Sequence, residues 1–167
     1  TDVSNLTPAV LLSHDVVILA EMTLTADQVA GLTDWVGAGG NLVAMRPDPQ
    51  LAGLLGLSAT AEILSDAYLQ VDASVAPGKG IVAQTIQYHG PADRYLASGA
   101  TVVATLYWNA TTPTAHPAVT LRSVGTSGGH AAAFAYDLAR SVVYTRQGNP
   151  AWAGTERDGS PPIRPND

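Results

Sequence analysis

The sequence predicts one α/β domain built on a mostly parallel sheet with flanking helices. An apolar run rich in β-branched residues at 15–20 is typical of a strand buried on both faces of such a sheet. A helical pattern at 25–36 and a second apolar run at 41–45 follow, and parallel strands need such a helical crossover. With 167 residues and a hydrophobic fraction of 46%, the chain can bury the core of one domain.

The helix between these two strands has sequence signals at both ends. Thr25 and Gln28 form a Thr-x-x-Gln capping box, preceded by Leu24 at the position of a hydrophobic staple. Apolar residues then recur at helical spacing and predict one face that packs on the sheet. Glycines at positions 37, 39 and 40 end the helix, because glycine accepts the left-handed conformation of a C-terminal cap.

The remaining elements follow in order along the chain. The second strand runs into a sharp turn at Met45, Arg46, Pro47 and Asp48, and a short helix at 50–55 ends at Gly56. Alternating patterns then predict extra strands in the middle region, at 67–72, 81–88, 101–108, 117–124 and 131–136. A helix is predicted at 137–144. We expect the domain to span residues 1–153 and residues 154–167 to form an extended tail.

Composition excludes several functional classes. The net charge of −6, with a single lysine, is unfavourable for binding nucleic acid, whose phosphates need clustered cations. No apolar run reaches the roughly 18 residues that a membrane span needs. The absence of cysteine excludes thiol nucleophiles, disulfides and thiolate metal sites. It leaves the compartment open, including a secreted or cell-surface location.

The order of elements over about 15–144 resembles the class I glutamine amidotransferase-like superfamily, whose fold is flavodoxin-like. In that family the turn after a strand carries the nucleophile in a Gly-x-Cys-x-Gly-x-Gln-x-Leu pattern. Gln50 and Leu51 match this pattern, whereas Arg46 stands at the nucleophile position. Asp137 and Ala139 stand where the family has its catalytic base and acid.

The resemblance therefore implies a non-catalytic relative, similar to the ThuA-like or glycosidase-associated members. Arginine stays protonated in proteins, so Arg46 cannot attack an amide. The family also has a first strand and helix before residue 15, and the resemblance implies that this unit is lacking. Neighbouring domains of the same protein, or a second chain, would then complete the sheet. No cofactor and no metal is expected.

Six residues form the predicted binding crevice at the carboxyl edge of the strands, where open α/β sheets bind ligands. They are Glu21, Arg46, Asp48, His89, Asp137 and Arg140. Arg46 and Asp137 are expected within salt-bridge distance, either as a structural ion pair or as charges presented to an anion or a sugar.

The other polar clusters also have two interpretations each. His89 and Asp93 either orient a metal or a base, or belong to a loop held by hydrogen bonds. Arg140 and Tyr144 share a helical face that is either a rim for a carbohydrate or partner domain, or a solvated helix end. No other residues supply the third ligand that a metal site needs.

The sequence therefore predicts a non-catalytic structural or binding module of a larger multidomain bacterial protein. The alternative is a carbohydrate-active or other hydrolase that uses carboxylate and histidine chemistry, for example Asp137 with Glu21 or His89. That alternative requires two carboxylates about 5–9 Å apart across an open cleft.

Overall fold

A computed structural model describes residues 6–74, 76–148 and 150, and within them a 3-10 helix at Pro49–Leu51 accompanies nine strands and four α-helices. In chain order they are α1 (Pro8–Leu11), β1 (Val16–Leu19), α2 (Ala26–Gly37), β2 (Asn41–Met45), α3 (Ala52–Leu55), β3 (Leu57–Ser65), β4 (Tyr68–Val71), β5 (Ile86–Gln87), β6 (Pro91–Ala97), β7 (Thr101–Tyr107), β8 (Pro113–Val124), β9 (Gly129–Phe134) and α4 (Leu138–Gln147). The predicted tail at 154–167 lies outside the described residues.

Seven strands form a mixed sheet in the order β1-β2-β9-β8-β7-β4-β5, and β3 pairs with β6 in a second sheet. Only β1, β2 and β9 are parallel neighbours; the other pairs are antiparallel. The predicted flavodoxin-like fold, a mostly parallel sheet with flanking helices, is therefore wrong. The described residues between 57 and 134 contain no helix to serve as a crossover, and antiparallel strands need only short turns.

The three parallel strands lie side by side without a gap. Leu42 of β2 pairs with Val17 of β1 on one side and with Ala131 of β9 on the other. These pairings leave no room for a further strand between β1, β2 and β9. β1 lies at one end of the seven-stranded sheet.

One face of the large sheet, here called the covered face, carries the core. Leu42, Ala44, Ala131 and Ala133 lie on it, and each is at most 2% exposed. α2 contacts β9, α3 contacts β8 and β9, and β6 of the small sheet contacts β8. Helices and the small sheet therefore pack against the same side of the large sheet.

The opposite side, here called the open face, is apolar and is largely uncovered at β1. Val16 and Ile18 are 52% and 63% exposed, and the strand register places Val43 and Ala132 on the same side as Ile18. The prediction that residues 15–20 form a strand buried on both faces is wrong. β1 is an edge strand with one covered face, and its position in the sheet cannot be read from an apolar run.

The predicted start of α2 is confirmed. The Thr25 hydroxyl accepts a hydrogen bond from the Gln28 amide (3.3 Å), and the Gln28 side chain accepts one from the Thr25 amide (2.9 Å). Gly129 of β9 faces the other end of the helix, where a Cβ atom would collide with the Val36 carbonyl oxygen. Glycine at 129 thus allows the helix end to approach the sheet closely.

Two strands, β3 and β6, were not predicted from the sequence. β3 has an irregularity between Ala59 and Ile63, with Ala61 at φ 58°, so its residues do not alternate between buried and exposed. β6 contains Asp93, for which a loop held by hydrogen bonds was one of the two interpretations. Conversely, the strand predicted at 81–88 is reduced to Ile86–Gln87.

Candidate functional site

A cavity of about 650 Å³ lies at the carboxyl ends of β1 and β2 and is also lined by β3 and β6. Its lining includes three arginines and four carboxylates. They are Glu21, Arg46, Asp48, Glu62, Asp93, Arg94 and Arg140. Four of the six predicted site residues, Glu21, Arg46, Asp48 and Arg140, therefore lie around this one cavity.

Arg46 occupies the turn that follows β2. Its φ of 43° is in the left-handed region, which is unusual for a residue with a side chain. The Arg46 amide donates to the Phe134 carbonyl oxygen at 2.8 Å, so the turn is tied to β9. Strained backbone of this kind persists only where the surroundings fix it, and it clusters at functional sites.

The Arg46 side chain is held by two carboxylates. Its Nη1 donates to Glu21 Oε1 at 2.7 Å, and its Nε and Nη2 both donate to Asp93 Oδ1, at 3.3 and 3.0 Å. Burial lowers the pKa of Arg46, but the hydrogen bonds and negative charges of Asp93 and Glu21 outweigh it and raise the pKa above its usual value. Arg46 is thus a fixed cation.

Glu21 links Arg46 to the start of α4. Its second oxygen, Oε2, lies 3.0 Å from Arg140 Nη2. Asp137 caps α4 by accepting a hydrogen bond from the Arg140 amide at 3.0 Å, and its other oxygen lies 3.9 Å from Arg140 Nε. The four charged groups form a continuous chain from Arg46 to Asp137.

The predicted direct pair between Arg46 and Asp137 is wrong, since Arg46 pairs with Glu21 and Asp93 instead. The Asp137 carboxylate is directed to its own helix, where it satisfies a free amide at the N-terminus. Sequence patterns gave no reason to connect Arg46 with Asp93, because β6 was not predicted as a strand.

Asp48 joins the loop after β1 to the turn after β2. Its carboxylate accepts hydrogen bonds from the Leu24 and Gln50 amides, both at 2.9 Å. Burial raises the pKa of Asp48, but these hydrogen bonds outweigh it and leave the pKa below the usual value. The predicted site residue Asp48 therefore has a clear role in holding the cavity wall.

Two further side chains, Arg94 and Tyr95, support the wall, and neither was predicted as a site residue. Tyr95 is buried and donates to the Pro47 carbonyl oxygen at 3.3 Å, and burial, with the nearby Asp93 charge, raises its pKa to about 12. Arg94 pairs with Glu62 at 2.7 Å and lies over the Trp108 ring at 5.1 Å.

His89 lies apart from the cavity lining. Its ring Nδ1 is 4.0 Å from the Asp66 carboxylate, and its amide donates to the Ser141 hydroxyl at 3.0 Å. An acidic neighbour of the ring is thus Asp66, whereas Asp93 pairs with Arg46. Within the described part of the chain, no group of three or more histidine and acidic side chains could hold a metal ion.

No protein-family model matches the chain, and no curated protein sequence matches it. Solved structures do share its fold. An exo-β-1,4-mannosidase from Opitutaceae bacterium strain TAV5 is 18% identical with a TM-score of 0.58, covering 80% of this chain and 22% of that one. A β-galactosidase from Bacillus circulans sp. alkalophilus is 14% identical with a TM-score of 0.57, covering 81% and 23%.

A cytoplasmic protein from Salmonella typhimurium is also similar, at 13% identity and a TM-score of 0.58, covering 78% of this chain and 63% of that one. At these identities the likeness concerns the fold alone. The chain spans less than a quarter of the two glycosidases' length. No helix in the part that the structure describes is long and apolar enough to cross a membrane.

The resemblance to the class I glutamine amidotransferase-like superfamily is wrong, because the similar solved structures include a mannosidase and a β-galactosidase and the large sheet is mixed rather than mostly parallel. That family was suggested by the order of elements, which is strand, helix, two glycines, strand and turn. This order follows from a right-handed parallel crossover, which proteins of many families share. The chain is similar to a part of larger glycosidase chains.

Proposed function

We propose that this chain is a non-catalytic domain of a larger carbohydrate-active protein of the glycoside hydrolase kind. The fold supports this, since similar regions make up 22% of a mannosidase chain and 23% of a β-galactosidase chain. In this role the domain contacts other parts of the longer protein, and its cavity does not cleave glycosidic bonds.

The proposal that the domain is non-catalytic rests on the pairing of cavity carboxylates with arginines. Glycoside hydrolysis needs one carboxylic acid that donates a proton and a second carboxylate that attacks or activates water. Here Glu21 bridges Arg46 and Arg140, and Asp93 accepts two hydrogen bonds from Arg46. The lowered pKa of Asp48 keeps that carboxyl ionised at neutral pH.

A hydrolysis assay separates this proposal from the hydrolase alternative. The chain is incubated with nitrophenyl β-galactoside and β-mannoside, and release of nitrophenol is followed. We expect no turnover above that of buffer. Turnover that disappears in Glu21→Gln or Asp137→Asn, but persists in Asp34→Asn on the exposed side of α2, would establish the hydrolase alternative instead.

The open face supports a docking role. Parallel strands are almost always covered on both faces, because helical crossovers lie on either side of the sheet. Here Val16 and Ile18 of β1 are 52% and 63% exposed, and β1 has no charge or proline that would protect a free edge. A neighbouring part of the longer protein, packed on this face, would remove these side chains from water.

A thiol probe tests the docking role, because the chain contains no cysteine. Ile18→Cys places a unique thiol on the open face, and Ala30→Cys places one on the exposed surface of α2. We expect both thiols to react at similar rates in the isolated chain, and Ile18→Cys to become at least tenfold slower in the longer protein. Equal rates in both forms would contradict docking on this face.

A further inference from the structure

We propose that the cavity at the carboxyl ends of β1 and β2 binds a neutral sugar residue, held between the Glu21–Arg140 pair and an apolar wall at Ile63. This assignment deepens the proposed function, on which it rests for the choice of sugars as ligands. The cavity volume of about 650 Å³ is in the usual range of small-molecule sites, about 300–1,000 Å³.

The cavity is a preorganised structure rather than a gap between side chains. Arg46 at φ 43° and Ala61 at φ 58° both line it, on segments that belong to different sheets. Left-handed backbone costs free energy at non-glycine residues, and such positions concentrate at ligand sites. Asp48 and Tyr95 fix the turn after Arg46 by hydrogen bonds to backbone groups.

The charges of the cavity are nearly balanced. Three arginines face four carboxylates, which leaves one formal negative charge over the whole lining. Arg46 directs all three of its nitrogens to Glu21 and Asp93, so an anionic ligand would have to displace these carboxylates. A metal ion is not favoured either, because three of the four carboxylates pair with guanidinium groups and the fourth, Asp48, accepts hydrogen bonds from two backbone amides.

Hydrogen-bonding groups remain available at the centre of this network. Among the described residues, Arg140 Nη1 has no acceptor and Asp93 Oδ2 accepts no hydrogen bond, while Arg140 is 36% exposed. Sugar hydroxyls both donate and accept. A single sugar can therefore accept from Arg140 and donate to Asp93 or Glu21 without breaking an ion pair.

An apolar wall completes the site. Ile63 is 55% exposed and lines the cavity beside Ala59 and Ala61. A pyranose ring presents C–H groups on one face and hydroxyls around its rim, so it buries apolar surface against Ile63 while its hydroxyls meet the charged groups. A fully charged or fully apolar ligand would satisfy only one of these surfaces.

The test is a titration of the isotope-labelled chain with neutral methyl hexosides, followed by backbone amide shifts. Galacturonate and glucosamine serve as the charged counterparts. We expect saturable shifts at Glu21, Ile63, Asp93 and Arg140 with a neutral hexoside, and binding at least tenfold weaker for both charged sugars. Tighter binding of galacturonate, or the absence of saturable shifts with every neutral hexoside, overturns the assignment.

Two variants with matched controls locate the site. Glu21→Gln and Ile63→Asn are each expected to weaken binding about tenfold, while Asp34→Asn and Leu96→Asn leave it unchanged, with thermal unfolding recorded for all four. Equal binding by Ile63→Asn and Leu96→Asn overturns the assignment even if Glu21→Gln does not fold. Cleavage of the bound methyl glycoside would instead refute the non-catalytic role and leave the binding site in place.

Discussion

The covered and open faces of the large sheet are built from alternate residues of the same strands, yet they have different physical roles. On the covered face, Leu42 is 1% exposed beneath the helices, whereas its neighbour Val43 on the open face stays partly exposed. Both residues are apolar. The hydrophobicity of a strand thus indicates how much apolar surface it can bury. The elements that pack against the sheet determine which of its two faces is buried.

Replacing adjacent residues on the two faces should include the largest single loss of stability. Leu42→Ala creates a cavity in the packed core and is expected to lower the free energy of unfolding by about 3 kcal/mol. Val43→Ala is expected to cost about 1 kcal/mol, because the side chain is only partly buried. Urea unfolding followed by circular dichroism measures both, and similar losses would contradict the distinction between the faces.

Glycine positions test how tightly α2 lies on the covered face. Gly129→Ala forces a Cβ against the Val36 carbonyl oxygen, and overpacking against rigid backbone should cost about 2 kcal/mol. Gly31→Ala in α2 meets no atom within 4 Å and should stabilise the helix by up to about 1 kcal/mol. A smaller loss for Gly129→Ala than for Val43→Ala would refute this packing.

The pH dependence of stability tests how Asp48 holds the cavity wall. Because its folded-state pKa is lowered, ionised Asp48 contributes stability that is present above the unfolded-state pKa of about 3.9. This contribution is lost as the pH falls through the folded-state value. The stability difference between the wild type and Asp48→Asn should therefore shrink between about pH 5 and pH 2. A pH-independent difference would show that the charge is not involved.

The open face should give the smallest effect on folding. Ile18→Lys replaces a side chain that is 63% exposed and should change the free energy of unfolding by less than about 0.5 kcal/mol. It should also reduce binding of an apolar dye such as ANS. A large loss of stability would contradict the exposure of Ile18 on the open face.

Local structure could be predicted from the sequence where neighbouring residues decide it. The strands at Val16–Leu19 and Asn41–Met45, the capping box at Thr25 and the helix after Asp137 follow from period, caps and turn residues. The meeting of Glu21, Arg46 and Arg140 at one edge was also predicted, because the carboxyl ends of parallel strands share that edge.

Pairing and layering were decided only by the tertiary structure. Whether a strand pairs parallel or antiparallel depends on partners that can be distant in sequence. An alternating pattern therefore cannot show that β8 pairs antiparallel with β9. The bulge at Ala61 removed the alternation that would have revealed β3, and without β3 and β6 the Arg46–Asp93 pair could not be foreseen. The sequence alone thus determined the local helices and strands, and it placed Glu21, Arg46 and Arg140 close to their ends. Long-range packing determined which charges meet and which apolar face stays open, because both depend on contacts between residues far apart in the chain.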